Sequence, residues 1–317
     1  MGNLPKFRLQ QVKPFLVTGV DYAGPISLRT STTRRTVSCQ AYIYLFVCMT
    51  KKALHLELAS DLSTERFLMA LCRFISRRGP IQEIHSDCGT NFVGAANLFR
   101  TVDEFTQSAE YQDKCRDYLT ARNITWHFNP PSASHFGGLW EAGVKSVKTL
   151  LYQTLGLQRL KYEELTTLLT RNESTLNSRP LGALSPDPNN FEVLTPSHFL
   201  TLMPSTATVD QDLSSIPMSR YQRWRLIKDL HHHFWNHWQT DFLQTLQRRT
   251  KWSTNQENLK VDTLVLIREP TAPLHWKLAR VVQLHPGLDG IVRVATVQTQ
   301  NGLFKRPTVK LCPLPIY

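Results

Sequence analysis

The apolar run AYIYLFVCM at 41–49 is the feature that most restricts how this chain folds. An uninterrupted apolar stretch of that length, bounded by polar and turn-prone residues, predicts a buried strand. Leu16–Val20 predicts a short strand before it, running into Asp21 and breaking at Gly24-Pro25. His55–Ala59 alternates and predicts a third. The polar, turn-prone stretch from Ser31 to Arg35 makes the first two strands an antiparallel pair, and the third extends the meander.

A helix follows, with apolar positions at Phe67, Leu68, Leu71, Phe74 and Ile75, and Gly79-Pro80 stops it. Gln82–His85 predicts a brief strand leading to Asp87-Cys88-Gly89. Helical patterns continue to about Asn123, and ITWHF at 124–128 predicts another strand. Strands that give way to alternating strand and helix indicate an α/β domain with a mixed sheet. Trp140, Val144, Val147 and Leu151 mark a helix over 138–155, and a further helix is expected over Tyr162–Ser178, ending before Pro180.

Residues 181–218 are rich in Pro, Ser and Thr and predict a linker, with one short element around Ser197–Leu202. A long helix is expected over about 219–252, with the stripe Trp224, Ile227, Leu230, Phe234, Trp238, Phe242, Leu246. At 1.5 Å per residue it spans roughly 50 Å, long enough for a spacer or a partner-binding arm. The remainder, 253–317, predicts a small barrel: VDTLVLI, WKLARVVQL and IVRVATVQT are strands, and Asn301-Gly302 is a hairpin signal. The first domain then covers 1–180.

Charge adds a partner class. The net charge is +12, with +5 before residue 205 and +7 in the shorter piece after it. A basic surface attracts polyanions at long range, and nucleic acid is the commonest. No apolar run approaches a membrane span, and Met1–Lys13 is too polar for a signal peptide, so a soluble folded protein is expected. The six cysteines form no C-x-x-C pair, which fits a reducing, intracellular compartment and lacks zinc-ligand spacing. His233 and His237 share a helix face, but no Cys or carboxylate accompanies them, so metal binding is not expected there.

Three carboxylates carry the chemical reading. Asp21 is expected at the end of the first strand, Asp87 at the end of the fourth, and Glu141 in the helix after the fifth. Carboxyl ends of central strands meet in one crevice. Clustered carboxylates repel unless cations sit between them, and two Mg²⁺ ions held by such acids suit phosphoryl transfer. A lone Asp at a strand end is usually a turn or helix cap. Glu141 is more telling, because Glu141, Lys145, Lys148 and Tyr152 form one helical stripe. A Glu–Lys pair four apart also stabilises a solvated helix by ~0.3 kcal/mol. The alternative has Glu141 on metal and both lysines on phosphates.

GVDYAGPI (19–26), HSDCGTNF (85–92) and HFGGLWEAGVKSVK (135–148) together resemble the core of retroviral-type integrases, nearest to the integrase region of Bel–Pao-type LTR retrotransposons. RWRLIKDLHHHFWNHW (223–238) and the tail at 276–315 resemble that family's C-terminal region. The resemblance implies an RNase H-like core with a mixed five-stranded sheet, followed by the long helix and a small Src-homology-3-like barrel. It implies catalytic, metal-binding Asp21, Asp87 and Glu141 with Mg²⁺ or Mn²⁺, two ions. It also implies DNA contacts at Thr90, Asn91, Lys145 and Lys148. On the barrel, Lys277, Arg280, Arg293, Lys305 and Arg306 are the candidates for phosphate contacts without base preference. The implied reactions are 3′-end processing and strand transfer of element DNA into target DNA.

Three departures stand out. Fifty-three residues separate Asp87 from Glu141, more than in retroviral relatives. Cys88 replaces the usual Asn, and no H…H…C-x-x-C zinc domain precedes the core, which suggests a piece of a longer polyprotein or a truncated genomic copy. A DNA-bound homo-oligomer in the nucleus is expected, with no membrane and no small-molecule substrate. The competing readings are a catalytically silent, co-opted nucleic-acid-binding protein and an RNase H-type nuclease.

Overall fold

A computed structural model describes residues 13–29, 38–87, 113, 124–129, 141–185, 190–205, 218–247 and 259–314; at 64, 87, 126, 128, 129, 141–145 and 218–221 it describes the backbone alone. The chain forms two compact units, Met1–Leu176 and Asn177–Tyr317. Among the described residues no helix is long and apolar enough to cross a membrane.

The first unit is mixed α/β. Its strands are β1 (Val17–Arg29), β2 (Ser38–Cys48), β3 (Leu54–Ala59), β4 (Glu83–Asp87) and β5 (Thr125–Asn129). They lie in the order β3-β2-β1-β4-β5. β1–β2 and β2–β3 are antiparallel, whereas β1–β4 and β4–β5 are parallel. Among the described residues the helices α1 (Thr64–Arg78), α2 (Glu141–Leu155) and α3 (Tyr162–Asn177) accompany the sheet. Ser63 caps α1 by accepting from the Arg66 amide at 3.4 Å, and Gly79 ends it with φ +88°.

The apolar run in β2 explains the layering. Phe46 stacks on Phe74 of α1 at 4.2 Å, and Tyr44 meets Phe67 edge-on at 5.6 Å. Alternation sends Ile43 and Leu45 to the opposite face, where they are equally buried. A strand buried on both faces has no polar side to present, which is why its sequence reads as a continuous apolar run.

β1 corrects the sequence reading. It does not break at Gly24-Pro25 but continues to Arg29, and its pairing with β2 skips between Ala23 and Ile26. The Gly24–Pro25 peptide is cis, and the irregularity accommodates a proline that cannot donate to the ladder. Asp21 is therefore internal to a thirteen-residue strand rather than at its end. Gly24 is obligatory here: φ is +138°, and a Cβ would lie 2.7 Å from Tyr42 Cδ1.

A buried charge network closes the β3 edge. Glu57 receives Arg73 Nε and Arg77 Nη1, each at 2.7 Å, and His55 Nε2 at 3.1 Å. His55 Nδ1 lies 3.1 Å from Glu173 of α3, which also pairs with Arg78. The Leu56 amide, on an edge strand, donates to Glu173 Oε2 at 2.8 Å. Burial pushes His55 towards its neutral form, but hydrogen bonds to Glu173 and Glu57 outweigh it and raise the pKa. Burial likewise opposes ionisation of Glu57, yet His55 and Arg73 hold its pKa below the ordinary value.

In the second unit, residues 181–205 hold more than one element: β6 (Gly182–Ala183) pairs with β7 (Val193–Leu194), and α4 covers Pro196–Thr201. The long helix α5 (Met218–Leu246) precedes an antiparallel sheet of β8 (Leu264–Ile267), β9 (Leu278–Pro286), β10 (Val292–Thr299), β11 (Gly302–Pro307) and β12 (Leu311–Pro313), ordered β11-β10-β9-β8-β12. α5 is not a free arm. Leu243 packs with Leu264, Leu266, Cys312 and Leu314, and the Trp235 indole donates to the Thr271 carbonyl at 2.8 Å. Trp235, outside the predicted stripe, is fully buried, while Trp224 of that stripe is exposed.

Candidate active site

Strand parity sorts the side chains of β1. Tyr22 meets Tyr44 on the α1 side at 4.9 Å, so Asp21 projects to the other face. There Lys148 Nζ of α2 lies 2.7 Å from Asp21 Oδ2, and the Asp21 side chain keeps 27% of its surface. The other oxygen, Oδ1, accepts from the Tyr22 amide at 2.7 Å. One oxygen is thus held by the backbone and the other faces a cation, the Lys148 ammonium. A hard carboxylate oxygen of this kind fits a divalent ion such as Mg²⁺.

One turn further along α2, the Tyr152 hydroxyl accepts from the Gly24 amide at 2.6 Å. Burial, opposed by that hydrogen bond and reinforced by the charge of Asp21, raises the Tyr152 pKa. Val147, Leu150 and Leu151 of the same helix are buried, which fixes its rotation. Two members of the predicted stripe therefore meet β1, one at Asp21 and one at the bulge.

The remaining acids are positioned by backbone. In the parallel β1–β4 register the last matched pair, Val20 with Ser86, immediately precedes Asp21 and Asp87. Adjacent strands lie about 4.8 Å apart. Glu141 is the first residue of α2, seven positions before Lys148 and so two turns away on the same helix face. The side chains of Asp87, Glu141 and Lys145 lie outside the described residues, as do Thr90 and Asn91 entirely.

On β4 and β5 the structure also brings together a group that sequence spacing missed. His85 and His127 are directly paired, with ring centroids 4.8 Å apart, and Glu83 Oε2 lies 3.4 Å from His85 Nε2. Burial, offset in part by Glu83 and reinforced by His127, lowers the His85 pKa. His85 and His127 are 42 positions apart in sequence, so only the strand pairing reveals them.

Most of the candidate cations of the second unit are engaged within it. Glu269 takes Lys277 Nζ at 2.8 Å and Arg306 Nε at 3.0 Å. Arg293 forks onto Asp289 at 2.6 and 3.0 Å, and Arg280 donates to the Asp262 carbonyl at 2.9 Å. Lys305 is exposed, opposite Thr296, and shares the outward face of the sheet with Arg280. On α5, His233 and His237 stand 3.1 Å apart.

Comparison with solved structures returns retroviral DNA-integration proteins. The chain is similar to a chain of the simian T-cell lymphotropic virus intasome in complex with the PP2A regulatory subunit B56 gamma, at 13% identity and a TM-score of 0.37, over 97% of this chain and 81% of that one. It is also similar to the HTLV-2 integrase catalytic core domain in complex with magnesium. The trimeric form matches at 17% identity and a TM-score of 0.33, over 56% of this chain and 93% of that one. The dimeric form gives 16%, 0.33, 53% and 90%. In sequence, residues 222–314 match a family described only as a family of unknown function, DUF5641. No curated protein matches the chain.

Proposed function

We infer that this chain is the catalytic core and C-terminal region of a retrotransposon integrase of the Bel–Pao type, a metal-dependent polynucleotidyl transferase acting on DNA. One observation carries the reading. Asp21 and Asp87 follow the last matched pair of two parallel strands, and Lys148 on Asp21 anchors the helix that begins at Glu141. The motif resemblance across the whole chain supports the same assignment.

In this reading Asp21, Asp87 and Glu141 hold two Mg²⁺ or Mn²⁺ ions. When bound, such ions activate the attacking oxygen and stabilise the leaving one. Lys148 moves from Asp21 to the incoming phosphate, keeping the site's charge balanced as DNA arrives. Lys145, one turn earlier, takes a neighbouring phosphate, while Tyr152 holds the helix to β1. In end processing a water oxygen bonds to phosphorus and gives up a proton, the bond from phosphorus to the 3′ oxygen breaks, and that oxygen takes up a proton to become a hydroxyl. In strand transfer that hydroxyl attacks a target phosphodiester; one P–O bond forms, one breaks, and the displaced 3′ oxygen takes the proton.

The sheet of β8 to β12 reads as a Src-homology-3-like barrel that positions DNA, with Lys305 on its exposed face. The functional form is a homo-oligomer on element ends and target DNA, and its compartment is the nucleus. The test is a strand-transfer assay with a duplex carrying the element's terminal sequence, a plasmid target and Mg²⁺ or Mn²⁺. Joined products that vanish in Glu141→Gln are expected. Salt-sensitive DNA binding without products would instead make the chain a catalytically silent DNA-binding protein.

A further inference from the structure

We propose that Glu83, His85 and His127 form a binding site for a Zn²⁺-class divalent ion, distinct from the acidic site. Glu83 and His85 are two apart on β4, so they share a face, and His127 is the directly paired residue on β5. β4 pairs Glu83 with Val17 and His85 with Gly19 of β1, which sets the group on the Asp21 side of the sheet. Its donor atoms all lie within 4.8 Å of one another.

The distances are close to what an ion needs. Bonds of about 2.0–2.1 Å in a tetrahedron set ligand atoms about 3.3 Å apart. Glu83 Oε2 is 3.4 Å from His85 Nε2 and 3.8 Å from His127 Nε2. The two imidazoles are stacked at 22°, so they must turn about χ2 to aim both nitrogens at one point. His127 has the room to do so, with 47% of its side chain exposed.

The donor chemistry selects the metal. Two imidazoles and one carboxylate suit Zn²⁺, Co²⁺, Ni²⁺ or Cu²⁺, whereas Mg²⁺ demands an octahedron of oxygens. Three protein ligands leave a fourth position for water. Such an ion would cross-link β5, the outermost strand of the sheet, to β4.

The experiment is a Co²⁺ titration of the full chain after chelator treatment, read by the visible d–d band in excess Mg²⁺. One ion per chain is expected, unaffected by Mg²⁺. Affinity should survive Asp21→Asn and the double variant His233→Gln/His237→Gln. It should fall more than about tenfold in His127→Gln, the loss that even outer-shell partners cause. Unchanged affinity in His127→Gln, loss in the α5 double variant, or displacement by Mg²⁺ would each overturn the site. A second measurement needs no variant: Zn²⁺ should protect His85 and His127 of the wild-type chain from acylation, read by peptide mass spectrometry, and leave His233 reactive. Equal labelling of His85 and His127 with and without Zn²⁺ would overturn it as well. Asp21→Asn separates this test from the integrase reading, which can fail while Co²⁺ binding persists.

Discussion

Two carboxylates in the same sheet have opposite surroundings. Glu57 on β3 is 5% exposed and meets two guanidinium groups and an imidazole within 3.1 Å. Asp21 on β1 keeps 27% of its surface and, among the described residues, its side chain pairs with Lys148. The first is saturated by partners that cannot leave without exposing a buried charge, so its work is structural. The second pairs, among the described residues, with the Lys148 ammonium and stays partly exposed. Among the described residues, partners and exposure, rather than charge itself, distinguish these two acids.

The sharpest way to break that contrast is to neutralise each acid in turn. Asp21→Asn is expected to abolish strand transfer and end cleavage while leaving the denaturation midpoint almost unmoved; retained activity would remove Asp21 from the site. Glu57→Gln should do the reverse, costing about 3 kcal/mol in urea denaturation, because two guanidinium groups and His55 lose their common partner. If that variant is as stable as wild type, the network contributes nothing net.

A smaller effect should appear in the pH dependence of stability. His55 titrates above 6.5 in the folded chain, so its contribution is complete below pH 6.5 and fades as pH rises through the raised value. Glu57 titrates below 4.5, so its contribution is complete above pH 4.5 and fades as pH falls through the lowered value. The two are jointly present between about pH 4.5 and 6.5. Denaturation midpoints measured across pH 4 to 8 should decline on the alkaline side, and His55→Gln should flatten that limb. The smallest change is expected from Glu269→Gln. Glu269 also collects two cations, but in a more exposed setting, so its loss should cost less than about 1 kcal/mol.

Local patterns were readable where a local cause exists. The apolar run of β2, the Gly79 stop of α1 and the Asn301-Gly302 hairpin each depend on residues within a few positions. The Lys148–Tyr152 stripe was equally visible as a periodicity, but the strand it would meet was not. β1 was cut short because Gly24-Pro25 normally ends a strand, and only pairing with β2 shows the bulge that carries it onward. The ion network of His55, Glu57 and Glu173 joins residues more than a hundred positions apart and leaves no spacing signal. Trp235 escaped the predicted stripe of α5 because that helix buries more of its circumference than one seam.

The hydroxyl of Tyr152 on the Gly24 amide has a consequence for how such a chain tolerates change. Because α2 is latched to β1 directly, the location of its first turn does not depend on the length of polypeptide between Asp87 and Glu141. The fifty-three residues between those two acids, β5 among them, therefore do not have to set where α2 begins. A single-residue insertion between Lys148 and Tyr152 is a different matter, since it turns one contact about 100° away from the other. The placement of α2 is thus most sensitive to chain length across that one turn of helix.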